Sequence, residues 1–490
     1  MKLKDIETID GLLRFYSKEK SANAVSILLL FTAIIPLIIL VFYSFLFFLS
    51  AENVVVEFVL QFFDFYDLNY VWHILVQIAG YLLLVFSFIE LFRYRICIKF
   101  ENNKINSSSA IVAICISFLF FWCLLSALNA SATICFFGSE VHHEGISTYI
   151  AYLGFFFSTF FLSNQIKIEK FSLCFLLSAA VVMLPIALKS RDVYIFFHIN
   201  YTIGSSIFSN SNHSGYYNCI AVMIAAVFFL ISYESGNNIK LVYFIFFLYF
   251  IFVQLQNGSF GSYLGEFIGL LVFALLCSRN YYKNGNRDNK QSKNKKICLF
   301  SIFLLLCFIA ESCIFSIFDQ WVVKDILSFF PSIYKLFWGT NTEKNKVGSG
   351  RGILYIRALQ FIKEKPLFGY GPDNLGKQFK KYGILELERV HCVPLNIAAS
   401  EGIPAALFYL GALFSFFVSF IKTFRNLDIM DIGLFSIGTA YFCSSLVGNS
   451  SYYVTPYFCI IFGLAAGRIA RMPQAEKTSE DKENAVPLNE

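Results

Sequence analysis

Long apolar runs, parted by short polar stretches, repeat along the whole chain. Twelve of them approach or exceed the roughly 20 residues that cross a bilayer as a helix: 24–49, 71–92, 109–129, 145–162, 171–188, 214–233, 239–256, 261–278, 297–318, 397–421, 432–449 and 455–470. None alternates apolar and polar positions as a membrane β-strand does. The pattern predicts an all-α, polytopic helical membrane protein with about 12 transmembrane helices. The first run holds 26 residues without a charge, too long for a signal peptide, so it is read as an anchor. The expected organisation is a cytoplasmic segment 1–23, helices one to nine over 24–318, one large extracytoplasmic loop 319–396, helices ten to twelve over 397–470, and a disordered cytoplasmic tail 471–490.

Composition excludes the main alternatives. Of 490 residues 57% are hydrophobic and 15% charged, against about 25% charged in soluble proteins. There are too few charges to coat soluble domains or to bind nucleic acid. The 13 cysteines contain no CxxC pair and mostly sit in apolar runs, where they pack as small hydrophobes. The basic residues set an orientation. With the N-terminus inside, 25 of the 39 Lys and Arg fall in inner segments and only Lys189 and Arg191 in short outer loops; the other 12 lie in the long segment from Asp319 to Val390. Long segments are exempt from the charge rule, so both termini are expected in the cytoplasm.

Few ionisable residues lie within spans. Glu266 and Glu311 are the acids well inside them, which argues against a proton relay or a charge-lined translocation path. Polar chemistry is concentrated in the outer segment. There, Ser349–Gly352 places Arg351 in a glycine-rich turn before a three-turn amphipathic helix that stops at Pro366. Free N–H groups at such a helix start, beside an arginine, suit a phosphate, and the helix is expected to lie along the membrane surface. His391, one of six histidines, stands where the chain re-enters the membrane. Pro394 and Pro404 should distort the helix there, and irregular backbone at that depth lines a wet cavity or is buried in protein. A neutral imidazole is a natural general base. Glu401 follows about three turns on and is read as structural rather than as an orienter of His391. His142, His143 and Glu144 are the one cluster on the outer face that resembles a metal site.

Residues 349–410 resemble the core of the O-antigen ligase and polymerase superfamily of membrane glycosyltransferases. The resemblance rests on Arg351 before a helix ending in Pro-Leu-Phe-Gly-Tyr-Gly-Pro-Asp-Asn (366–374), on the long basic outer segment, and on His391 followed after ten residues by Gly402. The stretch 207–218 (IFSNSNHSGYYN) resembles the family's Asn-x-Asn-x-x-Gly entry to a span. Three positions depart from the pattern. Cys392 follows the histidine, Ala405 closes the motif, and Phe260 in NGSFGSYLG (257–265) stands where the family often has a diphosphate-holding arginine. Arg191 and Arg357 are the candidates to replace it.

The resemblance implies a GT-C-like bundle in the bacterial cytoplasmic (inner) membrane. It implies a donor glycan on undecaprenyl diphosphate, an acceptor hydroxyl on a glycan or glycolipid, and an inverting transfer that needs neither metal nor cofactor. The candidate set is His391 as the catalytic residue, with Arg351, Arg357, Arg191, Asn374 and Glu401 binding substrate. The three departures put a polymerase of surface polysaccharide ahead of a ligase onto lipid A-core. A non-enzymatic flippase or exporter of lipid-linked oligosaccharide is the rival of a different class.

Overall fold

The computed structural model describes residues 18–50, 68–100, 107–130, 132–189, 206–208, 210–283, 288–384 and 388–472. The first half comprises α1 (Lys18–Ser50), α2 (Leu68–Phe100), α3 (Ser107–Ala130), the short α4 (Thr133–Phe137), α5 (Ile146–Leu162), α6 (Ile168–Val182), the short α7 (Leu184–Leu188), α8 (Ser211–Glu234) and α9 (Lys240–Asn257). The second comprises α10 (Phe260–Lys283), α11 (Asp288–Phe318), α12 (Trp321–Trp338), α13 (Asn341–Glu364), α14 (Gly376–Lys381), α15 (Val393–Ser400), α16 (Ile403–Thr423), α17 (Ile429–Ser445) and α18 (Thr455–Ala470). Among the described residues the fold is all-α, and eight helices are long and apolar enough to cross a membrane, with α5, α17 and α18 as shorter apolar helices. The protein is a polytopic helical membrane protein.

The most enclosed helix is α8, with 94% of its apolar window buried and α6, α9, α10, α11 and α17 packed around it. Its start is set by Asn210, whose side chain accepts from the N–H groups of Asn212 and His213, as an N-cap should. The first asparagine of the Asn-x-Asn-x-x-Gly stretch therefore works as a cap. Helices α2 and α5 cross at Gly80 and Gly154. A Cβ on Gly154 would stand 1.9 Å from Gly80 O, so only hydrogen lets the two backbones meet there.

Two boundaries differ from those the sequence predicts. The run 397–421 is not one helix. Gly402, at φ +96°, separates α15 from α16, and each helix carries a proline in its first turn, where the missing N–H costs nothing. The segment 319–396 is mostly helical rather than a loop with one three-turn helix. Helix α13 begins twelve residues before the expected start because Thr340 and Glu343 form a capping box. Glycines 348, 350 and 352 weaken the helix by about 1 kcal/mol each relative to alanine without ending it, since Leu354, Ala358 and Phe361 bury one face in a small second core with Tyr370, Leu375, Phe379, Val390 and Ala399. The stripe suited to the membrane surface lies on α12 instead. There Val323, Ile326, Leu327, Tyr334 and Trp338 are exposed and fall on one side of the helix, the arrangement that suits an interfacial helix.

Segments that the charge pattern assigns to one face converge. Asp428, Glu234, Glu169 and Arg468 line one polar pocket at the end expected inside, while the 139–144, 389–391 and 447–450 segments meet at the other end. We propose that the latter faces outward. Ser139 is too buried for a labelling site, because its N–H and hydroxyl both reach Asp373. Glu140→Cys and Lys377→Cys, both on exposed residues, should react with an impermeant thiol reagent in intact cells lacking reactive native cysteines. Asn238→Cys, at an exposed turn of the opposite end, should not. Labelling of Asn238→Cys alone would invert the topology.

Candidate active site

The end of the bundle where the 139–144, 389–391 and 447–450 segments meet is organised by a buried ion trio that joins three separate loops. Arg389, 5% exposed, donates to Glu144 Oε2 at 2.7 Å, to Asp373 Oδ1 at 2.7 Å and to the Ser450 carbonyl at 2.8 Å. Each carboxylate is further satisfied. Asp373 Oδ2 accepts from the Ser139 N–H and hydroxyl and the Glu144 N–H. Glu144 accepts from the Ser450 hydroxyl and from Tyr152. Burial raises the Asp373 carboxyl, but Arg389, His142 and the Ser139 N–H outweigh it and hold the group below the ordinary range. Glu144 is thus committed to Arg389. His143 stacks on His73 with ring centroids 4.9 Å apart, and His142 lies 3.9 Å from Glu388. These three do not converge on a point where a metal could sit.

The Pro-Leu-Phe-Gly-Tyr-Gly-Pro-Asp-Asn stretch wraps the break between α15 and α16. Ile403 N donates to Pro366 O at 2.8 Å and Gly371 N to Ser400 O at 2.7 Å. A Cβ on Gly402 would lie 2.0 Å from Leu367 O, so position 402 needs glycine for its space as well as for its φ. The family-like motif thus fixes how the chain re-enters the bundle.

Against this frame α13 presents one face. Arg351 and Tyr355, a turn apart, point at two loops. Arg351 Nη1 donates to Val447 O at 2.9 Å, and the Tyr355 hydroxyl donates to His391 O at 3.3 Å. The His391 N–H is held in turn by Asn449 Oδ1 at 2.9 Å, and the Asn449 amide nitrogen lies 3.3 Å from His391 Nδ1. His391 has φ +58°, a left-handed conformation that is uncommon outside glycine though less so for histidine. Its backbone is gripped on both sides. Burial, then Arg351 and Arg389, lower its imidazole to about 4.

The structure therefore brings together two of the six residues singled out by sequence, Arg351 and His391. Arg351 is mid-helix, so the expected phosphate cradle of free N–H groups beside it does not exist. Arg357 is six residues on, about 240° around the helix, where it bonds Gln360 and stacks over Tyr382 at 4.2 Å. Asn374 donates to Tyr370 O at 2.8 Å and shapes its own loop. Glu401 turns into a mostly apolar cavity of about 150 Å³, accepting from Tyr149 at 3.1 Å. Val393 and Asn396, within two turns of His391, line the same cavity. Arg191 lies outside the described residues. Phe260 opens α10. Sequence reasoning passed over Arg389, Asp373, Tyr355 and Asn449. Arg389 stands two residues before His391, and Gly448–Ser451 is a polar interruption between two apolar runs, so a signal was present for both.

A helical membrane bundle with a cation and an imidazole fixed over one turn, 447–449, defines a class of membrane protein with a built polar site at one end. Residues 243–410 match the family model described as O-antigen ligase, and the chain thus carries a domain of that superfamily, whose members are glycosyltransferase-like membrane enzymes. The match spans α9 to the start of α16 and includes Arg351, Asp373, Arg389 and His391, but not Glu144 or Asn449. No curated protein matches the chain.

Proposed function

We propose that the protein transfers a glycan from undecaprenyl diphosphate to a hydroxyl of a second glycan or glycolipid, at the outer face of the bacterial inner membrane, with inversion and without a metal. Both termini are then cytoplasmic and the bundle is a GT-C-like scaffold. The observation that carries this reading is the convergence of Arg351 and His391 on the 447–449 turn, above a cavity whose apolar walls suit the start of a lipid chain. Diphosphate leaves readily, so holding it and orienting the acceptor are most of what the protein must supply. Joining repeat units is preferred to ligation because Cys392, Ala405 and Phe260 depart from the ligase pattern. Deleting the protein and analysing lipid-linked glycans decides between them. Single repeat units left on the carrier mean polymerase, long unattached polymer means ligase, and an unchanged glycan pool removes the function.

The phosphate contact has its own test. Arg351→Lys keeps the charge and loses the planar fork that meets two phosphate oxygens. One charge-assisted hydrogen bond is worth about 1.5–3 kcal/mol, so transfer in proteoliposomes should fall by about 10- to 100-fold. Parental activity in Arg351→Ala, at a normal protein level, would remove Arg351 from the site.

A further inference from the structure

The hydrogen bonds around His391 fix which of its ring nitrogens carries the proton. A backbone N–H can only donate. The Asn449 side-chain atom 2.9 Å from His391 N is therefore the amide oxygen, and the other end of that amide is NH₂. This NH₂ lies 3.3 Å from Nδ1, and an amide NH₂ also can only donate. Nδ1 must then accept. A neutral imidazole has one proton, so it resides on Nε2. Burial and the positive charges of Arg351 and Arg389, which lower the imidazole to about 4, keep the ring neutral at pH 7.

A general base needs the opposite arrangement. In the Ser-His-Asp triad a carboxylate accepts from Nδ1–H, which frees the Nε2 lone pair; exchanging that acceptor for an amide costs about 10⁴ in kcat through the wrong tautomer. Asn449 puts the amide there from the outset. The left-handed backbone at His391 and the grip on its carbonyl from Tyr355 fix the main chain from which the ring projects toward Asn449.

We propose that Asn449 is a positioning residue that locks His391 as the Nε2–H tautomer, and that His391 acts as a hydrogen-bond donor to an anionic oxygen beside Arg351 rather than as a base. Under the function proposed above, on which the identity of the anion rests, that oxygen belongs to the donor diphosphate. The acceptor oxygen bonds to the anomeric carbon, and the bond from that carbon to the diphosphate oxygen breaks with its electron pair going to the diphosphate. The acceptor's proton goes to a diphosphate oxygen, and His391 keeps its own.

The test is solid-state NMR of the full chain, labelled with ¹⁵N-histidine and reconstituted in phosphatidylethanolamine–phosphatidylglycerol vesicles at pH 7. His391 is assigned by the signal lost in His391→Gln or, if that variant inserts poorly, by the signal that moves in Asn449→Asp. The expected result is a protonated Nε2 and a bare Nδ1. In Asn449→Asp the oxygen that holds the His391 N–H is kept, while the NH₂ becomes an acceptor. The proton should then move to Nδ1, and glycan transfer should drop by about 10²-fold or more, the cost of one lost oxyanion donor. A bare Nε2 in the parent protein, or Asn449→Asp transferring at or above the parental rate, overturns the proposal. The spectrum needs no substrate, so a wrong tautomer sinks this inference alone, whereas a chain with the right tautomer and no glycan transfer sinks the function reading.

Discussion

Arg389→Met is expected to be the most damaging single substitution at the end of the bundle that carries Arg351 and His391. Glu144 and Asp373 would be left as two carboxylates, 1% and 2% exposed, without their shared cation. Removing one partner of a buried pair costs about 3–5 kcal/mol, and here one removal strands two charges. The lost bond to Ser450 O would also free the 447–451 turn. The purified protein should melt far below the parent in detergent, or fail to accumulate. Lys380→Met breaks a bridge of 3.6 Å whose lysine is 53% exposed and should change stability by no more than about 0.5 kcal/mol. The triple variant Arg389→Met, Glu144→Gln, Asp373→Asn removes all three charges and should recover much of the loss. A thermal midpoint for Arg389→Met close to that of Lys380→Met would show that the trio does not hold the loops. Acidity provides a second handle. Asp373 is held below its unfolded value of about 3.9, so its contribution is complete above that pH and disappears only as pH falls further, through the folded value.

The fold was legible because its determinants are local. Twenty apolar residues in a row specify a span without reference to anything distant, and among the described residues each predicted run is helical, though 171–188 and 397–421 are each divided between two helices. The departures occur where distant parts decide. The extent of α13 depends on a cap at Thr340 and on the second core under Leu354 and Phe361, neither of which is visible in the glycines around Arg351. The site was legible only in its named actors. His391 stood out as a rare residue at a span mouth, and Arg351 as a cation beside a recognisable motif. The residues that make His391 what it is come from 58 positions later (Asn449) and 36 earlier (Tyr355), and Arg389 meets Glu144 across 245. Local pattern sets Arg389 and the Gly448–Ser451 turn apart as polar positions, but nothing in it says which distant groups they meet. In the 366–374 motif the sequence reading chose Asn374, while its neighbour Asp373 carries the ion pair. The two are nearly the same shape but differ in charge and in the donor that only the amide carries, and the need for a charge became apparent only once Arg389 was seen to be buried.

His391→Ala should fold, insert and retain lipid-linked donor while transferring glycan about 10²- to 10³-fold more slowly, the loss that follows removal of one aligned donor from a developing anion. The protein level should stay normal. The outer loops are held by Arg389, and the left-handed backbone at position 391 is strained for alanine by only about 1–2 kcal/mol. The diagnostic variant is His391→Gln. Its amide carries N–H donors and cannot take up a proton near neutral pH. If the imidazole serves as a donor, Gln should restore transfer well above the Ala level; if it serves as a base, Gln should be as slow as Ala. The pH profile gives an independent reading. The charged or titratable groups that act on or feel the ring are Arg351 on α13, Arg389 beside it, His142 in the outer loop and His213 at the start of α8. Burial, with the positive charges of Arg351 and Arg389 added to it, holds His391 neutral until about pH 4. A group depressed in this way gains its proton only as pH falls through that lower value. Transfer by the parent protein should therefore show no His391-dependent acid limb between about pH 5 and 8, where an unperturbed histidine would titrate. An acid limb near pH 6.5 that is present in the parent and absent in His391→Gln would return the residue to the role of base.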